Sequence, residues 1–414
     1  MELSFRIGSR TKTVSVDDER VLGILEPDDL PEGLDEEALV KEALANPVGS
    51  RKLSEIVGAD ETVAIVTSDI TRPCPTWKIL PSVLDELYRA GVKKENITLV
   101  FGLGSHRHQT EEEMIHLAGE KAYREITCVD SDPDDSFHVG TTERGTPIDI
   151  DRRVMAADRR ICIGNVEYHY FAGYSGGAKA IMPGVSTRDA IQYNHRHMVK
   201  PDSCAGRLEG NPVREDIEDA AAKVGVDFIV NVVLNTRKEI VCAEAGDVTA
   251  AHRKACAYLD SYYRREIDEQ ADIVIVSQGG APKDLNLYQT QKALDNAKHA
   301  VRAGGAVILC GSCAEGFGES HFEEWMLKYT EPHDMVEEIQ RNFILGAHKA
   351  AAIAMVREKA DIYLVSDMDP AIVAKTILKP AASVEEALKL AEEGGRKTIL
   401  AMPFGGSTLP KLKQ

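Results

Sequence analysis

The chain opens on alternating apolar and polar positions. Leu3, Phe5 and Ile7, then Val14 and Val16, then Val21 and Ile24 fit two or three antiparallel strands. Residues 35–46 (DEEALVKEALAN) switch to helical spacing behind Asp35, a suitable cap. From about residue 61 the rhythm changes again. ETVAIVT, NITLVFG, RICIGN and FIVNVVL are short apolar runs separated by helical patterns. Such alternation predicts an α/β layer structure with a mostly parallel sheet. The helical pattern ILPSVLDELYRAG closes on Gly91, a fitting residue just past a helix end.

A second unit starts near residue 270. ADIVIVS and GAVILC read as strands on either side of a helical pattern over 287–303, and DIYLVS and KTILAM follow with helices between. Ser383 and Glu386 form a capping-box pattern. The charged stretch 257–270 connects the halves without a Gly/Pro/Ser linker. The expectation is two α/β domains with mostly parallel sheets, residues 1–265 and 271–414.

Composition narrows the classes. The 414 residues are 43% hydrophobic and 28% charged, enough apolar material for two cores. Asp and Glu number 67 against 49 Lys and Arg, a net charge of −18. That balance argues against nucleic acid as a partner, whose readers are basic, and against anionic lipid. No apolar run approaches the ~20 residues that span a bilayer. MELSFRIGSR lacks the order of a secretion signal. Eight cysteines suggest reduced thiols, so a cytoplasmic location is expected.

Candidate chemistry follows the strand patterns, where open α/β sheets place ligands. Ser68-Asp69-Ile70-Thr71-Arg72-Pro73 comes after VAIVT. Read as a helix start with Pro73 in its first turn, it suits an anion, with Arg72 as a fork; the bland reading is a turn in which Asp69 pairs with Arg72. Gly102 to His108 follows NITLVF, and its histidines, two apart, share a face if extended. They suit acid/base or metal-ligand roles.

The densest segment, Glu167 to Gly184, follows RICIGN. Its Gly/Ser turn ending in Lys179 has the look of a phosphate cradle, but Ala178 and Ala180 exclude a Walker A loop. Lys179 is also a candidate covalent anchor. Asn194-His195-Arg196-His197 offers one helical ligand at most. In the second half, Tyr288 and Lys292 share a helix face. Their Tyr-x-x-x-Lys spacing matches short-chain dehydrogenases, yet the glycine fingerprint of that family is missing. Cys310 and Cys313 lack the second ligand pair that zinc needs. Trp77 and Trp325 read as helix-packing residues, and Glu111 to Glu113 as a solvated helix start.

Taken together, these segments resemble the nickel-dependent lactate racemase family. The matching residues are Ser68-Asp69-x-Thr71-Arg72-Pro73, Gly104-Ser105-His106-Arg107, His169-x-x-x-Gly173-Tyr174-Ser175-Gly176-Gly177-x-Lys179, Pro183-Gly184, Asn194-His195 and Tyr288-Gln289-x-x-Lys292. The resemblance implies a nickel-pincer nucleotide (pyridinium-3-thioamide-5-thiocarboxylic acid mononucleotide) joined covalently to Lys179, with His195 as the protein's nickel ligand. It implies Ser175, Gly176, Gly177 and Thr71 at the cofactor and His106 and His169 as the acid/base pair. Arg72, Tyr288, Gln289 and Lys292 would hold substrate, with Asp69 supporting Arg72 or the adjacent histidine. It also implies two domains closing over the cofactor and partner enzymes that make it.

The implied reaction racemises or epimerises a 2-hydroxy acid. The α-hydrogen is a very weak acid, so hydride removal to a planar keto acid avoids a carbanion. Two histidines serve the two hydroxyl directions. Lactate, malate, an aromatic acid and a sugar acid all remain open. His108 and His197 lie outside the matched positions. Arg72, Arg107, Lys179 and Lys292 suggest a cationic spot on an acidic protein. The rival reading is a metal-dependent hydrolase or lyase with His106, His108, His169 and His195 as ligands. It leaves the Ser-Gly-Gly-x-Lys turn unexplained. A non-enzymatic nucleotide-binding module leaves the histidines unexplained.

Overall fold

A computed structural model describes residues 1–413. The chain divides into two compact units, one made of Met1–Asp28 with the segment from Tyr262 onward, the other of Asp29–Ser261. Both are α/β, as the alternation predicts.

The Asp29–Ser261 unit is built on six strands. In chain order they are Val63–Ser68, Ile97–Gly102, Thr127–Asp130, Arg159–Asn165, Phe228–Leu234 and Ile240–Gly246. Their spatial order is third, second, first, fourth, fifth, sixth. All pairs are parallel except the last, which is antiparallel. Val63 to Val66 are buried, so the strand reads as an uninterrupted apolar run. Helices Glu36–Ala45 and Thr76–Arg89 add Val40, Leu44, Ile79, Leu80, Val83 and Leu87 to the same core. Asp35 caps the first of these helices by accepting from the Ala38 amide, and Gly91 follows the second at positive φ.

The other unit carries an all-parallel sheet in the order Lys379–Ala381, Asp361–Val365, Val301–Cys310, Ala271–Ser277, Ile399–Met402, Val21–Ile24. Three expectations change here. Glu2–Ile7 and Arg10–Ser15 do form an antiparallel hairpin, but Val21–Ile24 lies parallel to Ile399–Met402. Residues 1–28 thus pack with the C-terminal half, their Leu3, Phe5, Ile7, Val14 and Val16 joining Ile273, Ile275 and Ile308 in one core. The helix expected over 287–303 stops at Ala297, because Val301 already pairs with Ala271. Ser383 caps the helix Val384–Glu392 as its spacing predicts.

Among the described residues no helix is long and apolar enough to cross a membrane.

Candidate active site

In the Asp29–Ser261 sheet the strand order reverses between Val63–Ser68 and Arg159–Asn165. Such a switch point opens a crevice beyond the carboxyl ends of the strands. Three of the four segments singled out from sequence leave the ends of Val63–Ser68, Ile97–Gly102 and Arg159–Asn165.

The first two segments lock together. Asp69 is buried and its Oδ2 meets His106 Nδ1. Its Oδ1 accepts from the Thr71 amide at 2.8 Å and the Thr71 hydroxyl at 2.5 Å. Burial opposes ionisation of Asp69, but His106 and Thr71 outweigh it and hold the carboxyl below its usual range. With Nδ1 turned to the carboxylate, His106 presents Nε2 as its proton acceptor. Gln109 ties the loops: its Oε1 accepts from the Ile70 amide at 2.7 Å, and Asp130 accepts from its amide and side chain at 2.9 and 3.0 Å.

This geometry corrects several expectations. Of the two partners expected for Asp69, it is the histidine, His106, that it meets, and not Arg72, which is exposed and makes no ion pair among the described residues. The following helix begins at Thr76, so Pro73 precedes it and Asp69 to Arg72 form a turn. His108 is exposed beside Asp130, so the two histidines of this segment meet different carboxylates. Arg107 is neutralised by a two-pronged pair with Glu113 and adds no free charge.

The third segment gathers its residues around one ring. Tyr168–His169 pairs with Gly173–Tyr174 in a short antiparallel ladder, so the chain doubles back at Phe171. The buried Phe171 ring stands edge-on to His169 at 4.5 Å and to His195 at 4.9 Å between centroids. Lys179 Nζ lies 5.9 Å from the same centroid. Burial drives the Lys179 amine well below its ordinary pKa. Arg72 and Arg214 push the same way, and Glu167 opposes them. His169 is likewise driven down, first by burial and then by the charges of Lys179, Arg72, His195 and Arg214. Its Nδ1 accepts from the Ala172 amide at 3.3 Å.

The fourth segment supplies His195 at the end of the helix Arg188–His195. Asn194 donates to Asp216 Oδ2 at 2.8 Å, which turns its own Oδ1 toward His195 Nδ1, 3.0 Å away. A ring whose Nδ1–H is fixed this way carries its lone pair on Nε2, as a metal-binding histidine does. His197 is buried on the 3₁₀ turn that follows.

The glycine-rich turn is not an open anion cradle. The amides of Ser175, Gly177 and Lys179 donate to Glu167 O, Asn231 Oδ1 and Gly176 O. The Ser175 hydroxyl donates to Asn165 O at 2.8 Å. Among the described residues no three His, Cys, Asp or Glu side chains converge as a metal-holding group. His106, His108, His169 and His195 therefore do not form the ligand set of a hydrolase. In the other unit, Tyr288, Gln289 and Lys292 lie on the helix Leu287–Ala297, capped by Asn286. The Tyr288 ring packs on Phe322 and under Lys349 Nζ, 3.5 Å from its centroid. Cys310 and Cys313 are buried thiols, pushed up to about 12 by burial. Trp325 is buried, while Trp77 is 45% exposed and packs less than expected.

Sequence reasoning missed Gln109, Phe171 as a hub, and the buried Arg214, Asn231 and His252. One signal was present: Asn231 interrupts the otherwise apolar strand FIVNVVL.

A model of the lactate racemase N-terminal domain matches residues 7–206, and one of the lactate racemase C-terminal domain matches residues 267–408. The chain belongs to the lactate racemase family. With that family it is an isomerase. It is 32% identical over 410 residues to a lactate racemase of Thermoanaerobacterium thermosaccharolyticum, covering 96% of each chain. It is 29% identical over 420 residues to one of Lactiplantibacillus plantarum, covering 97% of this chain and 98% of that one. The apoprotein structure of the lactate racemase from Thermoanaerobacterium thermosaccharolyticum superposes with a TM-score of 0.88 at 31% identity, over 99% of this chain and 100% of that one. A Thermotoga maritima protein shares the fold at a TM-score of 0.62 and 20% identity, over 93% of this chain and 100% of that one.

Proposed function

We propose that this family member interconverts the two configurations at the α-carbon of a 2-hydroxy acid such as lactate, with a nickel-pincer nucleotide tethered to Lys179. The observation that carries this reading is the gathering of Lys179, His169 and His195 around Phe171. The residues fit that group. Lys179 offers an amine whose protonation its surroundings disfavour, suited to a covalent link. His195 offers one oriented imidazole nitrogen, and a metal held largely by its nucleotide needs no cluster of protein ligands. Ser175, Gly176, Gly177 and Thr71 are the further residues assigned to the nucleotide.

When bound, the group supplies an acceptor for the hydride on the substrate's α-carbon. His106 takes the hydroxyl proton of one enantiomer at Nε2, and Asp69 stabilises the imidazolium that results. His169, half-buried and held well below the usual imidazole range, takes the same part for the other enantiomer. Arg72, with no carboxylate of its own, pins the substrate carboxylate. Tyr288, Gln289 and Lys292 are carried over from the family as substrate-holding residues. The partners this reading requires are the enzymes that make the nucleotide.

The test is expression alongside those enzymes, followed by intact mass and a chirality-resolved screen of 2-hydroxy acids. A heavy adduct on the peptide containing Lys179 and interconversion of at least one enantiomer pair are expected, and Lys179→Ala should lose both. Protein that stays unmodified and inactive on every acid tried overturns the proposal.

A further inference from the structure

We propose that Arg214, His252 and Asn231 are positioning residues for Lys179, fixing the backbone of the turn that carries it. Side chains from a later stretch of the chain hold that turn group by group. Asn211 Nδ2 donates to Phe171 O at 2.9 Å, and Arg214 Nε donates to Ala172 O at 3.0 Å. Arg214 Nη2 donates to Tyr174 O, and His252 Nε2 to Ser175 O at 2.8 Å. Asn231 Oδ1 accepts from the Gly177 amide at 2.8 Å. A Cβ at Gly177 would lie 2.8 Å from the His252 ring, so imidazole fills the space that glycine leaves.

Arg214 makes the case strongest. It is fully buried, and the nearest carboxylate, Glu218, stays 3.9 Å from Nε. A buried cation so weakly paired is unfavourable, and an apolar side chain would fill the volume with less penalty. Its guanidinium instead grips two carbonyls of the lysine's turn. Its charge also disfavours protonation of Lys179, as does Arg72, whereas Glu167 favours it. His252 is kept neutral, first by burial and then by Arg214, so Nε2–H is available as the donor to Ser175 O.

The inference rests on Lys179 as the attachment point, and the two fail separately. If wild-type Lys179 shows the reactivity described next but never gains the adduct, the proposed function falls and the positioning stands. The experiment treats the whole chain, made without the cofactor enzymes, with formaldehyde and cyanoborohydride at pH 7. Peptide mass then compares Lys179 with the exposed Lys93. Wild-type Lys179 should react faster by about tenfold or more, the change that one pKa unit produces. Arg214→Gln and His252→Phe should lose that advantage. His252→Gln, which keeps a donor toward the Ser175 carbonyl, should retain it. A purely structural role would not separate the two His252 variants at equal thermal midpoints. Lys179 reactivity unchanged in folded His252→Phe overturns the proposal, and if Arg214→Gln fails to fold, the His252 pair decides alone.

Discussion

Lys179 is half-buried and makes no ion pair among the described residues, and burying an amine without a carboxylate lowers folding stability. Lys179→Met is therefore expected to stabilise the protein by about 1–3 kcal/mol while abolishing the adduct. A chemical denaturation series reads this directly, and a destabilised variant would count against an uncompensated amine. His106→Ala is expected to keep the adduct and lose turnover by about 10²–10⁴-fold. If it instead loses nickel with full activity per metal, its role is wrong. Two histidines set an acid limit. His169 and His252 have depressed folded pKa values, so near pH ~6.5 the unfolded chain binds protons that the folded chain does not. Stability therefore falls as pH drops below that point, and His169→Phe should flatten the slope. Asp69 contributes oppositely in origin: its folded pKa is lowered, so its contribution is present above pH ~4 and lost as pH falls further. Asp69, His106, His169, Lys179 and His195 were legible because each follows a strand pattern or stands in an unusual cluster. Their partners were not, since nothing near Gln109, Arg214 or His252 in sequence indicates what each contacts in space.

Strands buried on both faces announce themselves as apolar runs, which is why Val63–Ser68 and Phe228–Leu234 were readable. Loop conformation was less so. The Asp69 to Pro73 stretch has the residues of a helix start, yet the turn around Asp69 delays the helix to Thr76. The turn Ser175 to Lys179 looked like an anion cradle because of its glycines. In the structure those glycines make room for side chains: Asn231 against Gly176, His252 against Gly177. Gly177 also sits at φ +57°. Gly177→Ala is therefore expected to cost about 1–3 kcal/mol and to speed amide exchange in the peptide spanning 170–182. Wild-type exchange in that peptide would show that the turn has room to spare.

For the whole molecule, the −18 charge describes solubility, while the residues assigned to substrate keep local positive charge in Arg72. The two α/β halves were legible, but the membership of residues 1–28 was not, because parallel pairing with a distant strand leaves no local mark. Removing Met1–Asp28 strips Leu3, Phe5, Ile7, Val14 and Val16 from a core otherwise built of C-terminal residues. Calorimetry should show the transition of that unit lost and the transition of Asp29–Ser261 kept. If both persist, the hairpin is dispensable. The pairing of Val21–Ile24 with Ile399–Met402 also sets a timetable for biosynthesis. At about 5–20 residues per second, the strand made first waits on the order of tens of seconds for a partner made almost last. For most of that wait, until Ile273, Ile275 and Ile308 are made, the N-terminal hairpin also carries an uncovered apolar face, a segment open to aggregation on the nascent chain.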